Sequence, residues 1–322
     1  MVGPSQTAAM RRQRLPGVPA PVLVLGSVIA VQTGQSLGKG MFGQVGAPGV
    51  ITLRLGFAAL ILFALWRPRP PRRDALPLIA ALGTAIAGMQ FIYPAMERLP
   101  VGIASTVQFL GPLVLALAGS RRPADVLWAG LAAVGVAMIY RPGGGPVPLS
   151  PAGVALALTS GAFMAAYLVL NKRVGARRAD GSDLTWAVGF AALLVLPLGP
   201  AFDGTALFRG DVLLAGAGTA LVSAVVPWSL DQAALRRLPE RVVAVMVSLE
   251  PAAGAVAGLL VLGEHLSSPQ WFAVACVSAA SAGVVVTARD RSSPAPGAAG
   301  GGARKVPGDT GRSPACEGRS LT

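Results

Sequence analysis

Long apolar stretches separated by short polar segments recur along most of the chain. Each is close to the roughly 20 residues that cross a bilayer as a helix, and none has the alternation of apolar and polar residues typical of barrel strands. The pattern therefore predicts an all-α integral membrane protein. Ten transmembrane helices are predicted at about 20–37, 47–66, 75–96, 101–119, 125–140, 151–171, 184–201, 212–234, 242–262 and 269–287.

The composition and the charge distribution agree with this class of protein. Hydrophobic residues make up 53% of the 322 residues and charged residues 13%, whereas soluble domains carry about 25% charged residues. With the N-terminus in the cytoplasm, the cytoplasmic segments hold 18 Lys and Arg residues and the outer segments hold four. This distribution follows the positive-inside rule and accounts for the net charge of +13 without a nucleic-acid partner. We therefore predict a multi-pass protein with both termini in the cytoplasm.

Two segments of the chain resemble each other at a separation of 139 residues. RLPVGIASTVQFLGP at 98–112 and RLPERVVAVMVSLEP at 237–251 both begin with Arg-Leu-Pro and end in proline. Each joins the third and fourth helices of a five-helix half, so the halves are two inverted repeats, an architecture of transporters with the substrate site near the midplane. The predicted organisation is a cytoplasmic N-terminal segment at 1–19, a first five-helix repeat at 20–141, a second at 150–288 and a disordered cytoplasmic tail at 289–322.

These features resemble the ten-helix drug/metabolite transporter superfamily of the EamA type. Leu249-Glu250-Pro251 followed by Gly263-Glu264 is similar to that family's motif in the second half. Segments 31–55 and 108–128, with the two Arg-Leu-Pro segments, resemble the bacterial threonine/homoserine exporters, and the likeness covers about 20–287. It implies an exporter of small amino acids in the bacterial inner (plasma) membrane, driven by protons. No cofactor is expected, and a homodimer is left open.

Glu250 is the sharpest candidate for chemistry, because an ionisable residue inside a membrane helix marks a pathway or a site by default. Gly254 and Gly258 follow it on the same helical face, so this face is predicted to pack against other helices. A buried carboxyl group favours its protonated form, and a bound ammonium group favours release of that proton. Glu250 is therefore predicted to carry a proton or to pair with a substrate ammonium. The alternative is a structural glutamate that is hydrogen-bonded to a neighbouring helix.

Arg54 and Gln108 have both a functional and a structural interpretation. Arg54 either holds a substrate carboxylate through a bidentate contact or pairs with a carboxylate to fix the bundle. Gln108 is the near counterpart of Glu250 in the repeat, and with Ser105 and Thr106 it offers neutral hydrogen bonds to a hydroxyl or carboxylate group.

The remaining candidates for substrate binding or coupling are Gln32, Gln90, Tyr93 and Trp228. Tyr93 is alternatively a residue of the aromatic belt. Asp231 shares a helical face with Trp228, but it lies near the cytoplasmic end of the eighth helix and is predicted to be a wetted helix end. Lys39, at the outer end of the first helix, is predicted to be an interfacial charge.

Other functional classes receive little support from the sequence. An intramembrane metalloprotease needs a motif such as His-Glu-x-x-His, and the single histidine, His265, follows the ninth helix. We therefore predict no catalytic residue and no metal site. Inverted repeats with buried carboxylates disfavour a channel. An exporter of another metabolite, a drug or a small cation remains open, because the helix pattern does not distinguish these substrates.

Overall fold

The computed structural model describes residues 19–118, 123–139, 150–177, 181–235, 237–238 and 240–287. Regular structure in these ranges is helical, with no strand among them, and the ranges belong to one compact unit within Met1–Ala288. The predicted tail at 289–322 and nearly all of the N-terminal segment lie outside the described residues. The all-α membrane class that was predicted from the sequence is confirmed.

Nine of the ten predicted membrane helices are confirmed, because nine helices among the described residues are long and apolar enough to cross a membrane. We number the helices by their predicted order. The spans are Ala20–Gly43 (first), Ala47–Trp66 (second), Arg73–Met96 (third), Val101–Ala118 (fourth), Pro151–Gly175 (sixth), Ser182–Phe208 (seventh), Gly210–Asp231 (eighth), Val242–Leu262 (ninth) and Ser268–Thr287 (tenth).

The fifth predicted helix is described over 17 residues, Pro123–Ile139, which rise about 26 Å. Its flanking segments, 119–122 and 140–149, lie outside the described residues. The described part is one residue shorter than the shortest of the nine spans, Val101–Ala118, so the predicted span at 125–140 stays a prediction.

Several spans consist of consecutive helical pieces rather than one continuous helix. The interruptions lie inside stretches whose hydropathy is uniformly high, so they do not change the number of spans. The pieces are Leu76–Met89 and Ile92–Met96 (third), Val101–Gln108 and Leu110–Ala118 (fourth), Ser182–Val195 and Leu198–Asp203 (seventh), Gly210–Ala220, the π turn Leu221–Val225 and Val226–Leu235 (eighth), and Glu240–Val247 and Glu250–Leu262 (ninth).

The main helix contacts join the first five helices to the last five. The first helix packs on the eighth and ninth, the second on the seventh and eighth, the third on the sixth and seventh, the fourth on the sixth and ninth, and the fifth on the tenth. If the first helix is interchanged with the sixth, the second with the seventh, and so on to the fifth with the tenth, the list of packed pairs stays the same. Large apolar side chains on the outer faces, such as Leu60, Leu214 and Leu260, are at least 66% exposed, as suits helices surrounded by lipid tails.

Candidate functional site

Five spans are interrupted, and each break lies next to a proline. The seventh helix breaks at Leu196 and Pro197. The third helix breaks at Gln90 and Phe91, the fourth at Phe109, the eighth at the π turn and the ninth at Ser248 and Leu249. A proline has no N–H, so the carbonyl four residues earlier loses its helical partner. In the last four helices named, the prolines are Pro94, Pro112, Pro227 and Pro251, and the carbonyls that lose this partner belong to Gln90, Gln108, Ser223 and Val247. The Gln90 carbonyl accepts instead from the Tyr93 N–H at 3.0 Å.

Four of the five interruptions occur in pairs of helices that lie five positions apart in the chain. The seventh helix is the exception, because its counterpart, the second, is one continuous helix. The third helix pairs with the eighth, and the fourth pairs with the ninth. In the repeated segments, Pro112 aligns with Pro251 and Phe109 aligns with Ser248 at the same offset of 139 residues. Interrupted membrane helices offer backbone groups to ligands, and irregular backbone is tolerated only where it is buried in protein or lines a cavity. The candidate site is therefore expected at these breaks.

Arg54, on the second helix, connects two of the interrupted helices. Its Nε donates to Ser223 Oγ at 2.7 Å, and its Nη2 donates to the Ser223 carbonyl at 3.1 Å. Its Nη1 donates to Gln90 Oε1 at 2.9 Å. The Gln90 amide nitrogen is held in turn by the Ile86 carbonyl at 2.9 Å, so that its oxygen faces the guanidinium group.

The Arg54 side chain is buried, with 9% of its surface exposed. The hydrogen-bond partners found for it among the described residues, Ser223 and Gln90, are neutral. The ring centroid of Tyr93 lies 5.8 Å from Cζ, and Tyr93 is 1% exposed, which does not fit the aromatic-belt interpretation. These contacts solvate the positive charge without neutralising it, and such a group attracts an anion.

The first helix packs tightly against this cluster through two glycines. A Cβ atom on Gly34 would lie 2.7 Å from the backbone nitrogen and Cα of Ser223, and one on Gly38 would lie 2.9 Å from Tyr93 Cε1. Gly34 and Gly38 therefore mark a close contact of the first helix with the eighth and third helices. Small residues allow such approach between membrane helices.

Gln32, also on the first helix, lies where three helices meet. It is 1% exposed, and its Oε1 accepts a hydrogen bond from Ser105 Oγ on the fourth helix at 3.2 Å. A Cβ on Gly254 of the ninth helix would lie 2.9 Å from the same oxygen. The face of the ninth helix that carries Gly254 and Gly258 therefore packs against other helices, as predicted.

Gln108 is bonded to the sixth helix. Its Nε2 donates to Ser160 Oγ at 2.7 Å, and Ser160 donates to the Met89 carbonyl at 2.6 Å. Gly161 packs directly on the backbone carbonyl of Gln108, which is the one released by Pro112. Both the side chain and the backbone carbonyl of Gln108 therefore contact the sixth helix.

Glu250 has a neighbour that the sequence did not reveal. Asp231 lies near Glu250, and both lie near Tyr167 of the sixth helix. Ser27 of the first helix also lies near Asp231, but its hydroxyl donates to the Pro227 carbonyl at 3.3 Å. Oδ1 of Asp231 is buried without a hydrogen-bond partner among the described residues. Asp231 ends its apolar span, but it is not the water-exposed helix end that was predicted.

Trp228, three residues before Asp231, packs against Ala58, Ala220 and Ala224. The predicted site residues therefore fall into three groups. Arg54, Gln90 and Tyr93 surround the π turn at Ser223, Gln32 and Gln108 bond to serines on neighbouring helices, and Glu250 lies with Asp231. Ser223 and Asp231 are missing from the sequence-based set.

The chain was compared with known proteins. Residues 151–286 match the EamA-like transporter family. Threonine/homoserine exporter RhtA of Escherichia coli (strain K12) is 39% identical over 277 residues, which cover 84% of this chain and 92% of that protein. The exporter of the same name from Salmonella typhimurium (strain LT2) is 39% identical over 276 residues, with the same coverage.

Two further comparisons are more distant. The uncharacterized inner membrane transporter YicL of Salmonella typhimurium is 26% identical over 237 residues, which cover 68% of this chain and 78% of that protein. A solved crystal structure superposes with a TM-score of 0.58 at 20% identity, over 85% of this chain and 98% of that chain, a likeness that shows the fold. Together with the nine membrane spans, the relatives of 39% identity show that the chain belongs to the EamA-like transporter family and is a multi-pass membrane transporter rather than an enzyme.

Proposed function

We propose that this protein exports threonine and homoserine across the bacterial inner membrane as a proton-coupled secondary transporter. The observation that carries the proposal is the 39% identity, over 84% of the chain, to exporters that are named for these two substrates. An exporter of another metabolite, a drug or a small cation in the same family is the competing proposal, and the transport experiment below separates the two.

The proposed architecture is two inverted five-helix repeats, at 20–141 and 150–288, that operate by alternating access with both termini in the cytoplasm. Its support is the set of main helix contacts that is unchanged by a five-helix exchange, together with the interruptions of the fourth and ninth helices before Pro112 and Pro251, which align in the repeated segments. The orientation is supported by the 18 to 4 distribution of basic residues in the sequence.

Arg54 is the proposed partner of the substrate carboxylate. A zwitterionic amino acid brings two charges into a region of low dielectric, and each unpaired charge costs several kcal/mol as an order of magnitude. Arg54 offers a buried guanidinium group whose described partners are neutral. Gln90 and Tyr93 act by holding this group in place, and the planar guanidinium suits a bidentate contact with a carboxylate.

Glu250 is the proposed partner of the substrate ammonium group and the carrier of the coupled proton. Two carboxylates that lie close together favour a shared proton or a shared cation, and Asp231 is the carboxylate that neighbours Glu250. An ammonium group that enters from the cytoplasm displaces the proton. After substrate release outside, a proton returns to the carboxylate, so that proton entry drives amino-acid export.

The test is efflux from liposomes that contain the purified protein and are loaded with labelled threonine or homoserine. We expect efflux to exceed that of protein-free liposomes and to accelerate when the external medium is made more acidic than the interior. Efflux equal to that of protein-free liposomes, together with transport of a lipophilic cation, would overturn the proposal in favour of the drug-exporter alternative.

A further inference from the structure

One ion pair joins three separate segments at one end of the helix bundle. Lys39, in the last turn of the first helix, has its Nζ 2.6 Å from Glu264 Oε1. The same Nζ donates to the Leu99 carbonyl at 2.8 Å, and Glu264 Oε2 accepts from the Val101 backbone N–H at 2.8 Å. The first helix, the loop between the third and fourth helices, and the segment after the ninth helix are thus tied together.

The pair is shielded, which distinguishes it from ordinary surface ion pairs. The side chains of Lys39 and Glu264 are 19% and 17% exposed, so the charge of Lys39, which the sequence predicts to lie at the membrane interface, is paired and largely covered. By contrast, both members of the pair Arg209–Asp211 are more than half exposed and lie two residues apart. An exposed pair is worth about 0–1 kcal/mol, whereas removal of one partner from a shielded pair leaves the other charge uncompensated.

Two glycines at the end of the ninth helix make the position of Glu264 possible. Gly263 has a φ of 67°, in the left-handed region, and the Glu264 N–H bonds back to the Gly258 carbonyl at 3.1 Å. This is a Schellman-type helix end, which favours glycine. A Cβ on Gly258 would lie 2.6 Å from Glu264 Oε2, so only glycine leaves room for the carboxylate to lie between the ninth helix and Val101.

The same end of the bundle carries a second set of carboxylate contacts. Glu97 Oε1 accepts from the Ala47 N–H at 3.1 Å, and Asp203 Oδ1 accepts from the Gly46 N–H at 2.6 Å. Both contacts satisfy free N–H groups at the start of the second helix. The third and seventh helices are thereby held to the second, beside the segments that the Lys39–Glu264 pair joins.

We propose that the Lys39–Glu264 pair is a latch that closes this end of the transporter, which is the outer end in the proposed orientation. The inference deepens the proposed function, because alternating access requires an outer barrier that opens. When the first and ninth helices separate, water hydrates both charges, so an open state does not contain a buried unpaired ion. The latch therefore biases an equilibrium between two states instead of locking the bundle permanently.

The test measures access to a cysteine placed behind the latch. Ser105 is fully buried and lies one turn from Val101, so Ser105→Cys is introduced with Cys276→Ser and Cys316→Ser. Intact cells are then treated with a membrane-impermeant maleimide. We expect Glu264→Gln and Lys39→Met each to raise the labelling rate by about tenfold, the factor that corresponds to about 1.4 kcal/mol.

Two comparisons make this result specific. Combining Lys39→Met with Glu264→Gln is expected to raise labelling no further than either change alone, because the two residues act as one pair. Arg209→Gln, which removes the exposed pair with Asp211, is expected to leave labelling unchanged. Equal labelling of the parent and the two latch variants in both intact cells and inverted vesicles, at matched amounts of folded protein, would overturn the latch.

Labelling needs no substrate, so it tests the latch separately from the proposed substrate, which the efflux assay tests. Increased labelling together with threonine efflux at the level of empty vesicles supports the latch and overturns the substrate. Increased labelling that occurs only in inverted vesicles supports the latch and overturns the proposed orientation.

Discussion

Arg54 donates hydrogen bonds to both the side chain and the backbone of Ser223, at 2.7 Å and 3.1 Å. The backbone acceptor exists because Pro227, four residues later, supplies no N–H to it. With the third bond to Gln90, a single guanidinium group joins the second, third and eighth helices. The positive charge is therefore fixed in position before any substrate arrives.

Arg54→Lys is expected to raise the KM for threonine export, because one ammonium group does not reproduce the planar set of donors that reaches Ser223 and Gln90 together. A hydrogen bond to a charged group is worth about 1.5–3 kcal/mol, so a change in KM of about tenfold or more is expected. The measurement is initial efflux rate against internal threonine concentration. An unchanged KM with only a lower unfolding temperature would assign Arg54 to structure alone.

Gly34→Ala is expected to lower the unfolding temperature, because the new Cβ would meet the Ser223 backbone at 2.7 Å. Overpacking of this kind costs about 1–3 kcal/mol. Gly56→Ala is the matched control, since a Cβ there meets nothing within 4 Å and alanine favours the helix. Thermal unfolding in detergent compares the two variants, and equal unfolding temperatures would contradict the close contact between the first and eighth helices.

Glu250→Gln is expected to insert and fold normally but to lose the acceleration of export by a pH gradient. Glutamine keeps the size of glutamate and cannot carry the proton or the negative charge. The measurement is labelled threonine efflux with and without the gradient, at matched protein levels. A variant that still responds fully to the gradient would leave Glu250 as a structural group.

Asp231→Asn serves as the comparison for that experiment. Asp231 ends its span, so Asp231→Asn is expected to reduce threonine export less than Glu250→Gln does. Because Asp231 and Glu250 are neighbours, the double variant is expected to match Glu250→Gln instead of showing the combined loss. A double variant with additive losses would separate the two carboxylates functionally.

Single cysteines at two exposed arginines test the orientation. Arg72, in the loop between the second and third helices, and Arg209, between the seventh and eighth, have side chains that are 74% and 59% exposed. In intact cells that express a variant lacking Cys276 and Cys316, we expect an impermeant reagent to label Arg209→Cys and not Arg72→Cys. The reverse pattern would place the termini outside.

The spans were predictable because bilayer thickness sets the length of the apolar stretch, which is read directly from the sequence. The fifth helix was the exception. Its described helical residues, Pro123–Ile139, begin with Pro123 and include Asp125 in the first turn. An apolar stretch of about this length in the sequence does not distinguish a short helix from a full span.

The site was only partly predictable. An ionisable residue within an apolar stretch stands out, so Arg54 and Glu250 were identified at once. Ser223 was missed because serine is common in membrane helices, although Pro227 was a signal of a released carbonyl. The pairing of Lys39 with Glu264 joins residues that are far apart in sequence and carry no shared periodicity, so it needed the tertiary structure.

The released carbonyl at Ser223 has a consequence for comparing relatives of this protein. One of the two contacts that Arg54 makes there is a main-chain contact, so it survives any side chain at position 223 but depends on the absent N–H at position 227. Part of the arrangement around Arg54 is thus encoded by a residue that does not itself bond to the arginine. An alignment restricted to contacting side chains would score a change at Pro227 as neutral. Such a change would nevertheless restore an N–H that can bond to the Ser223 carbonyl and would weaken the hydrogen bond from Arg54 to that carbonyl.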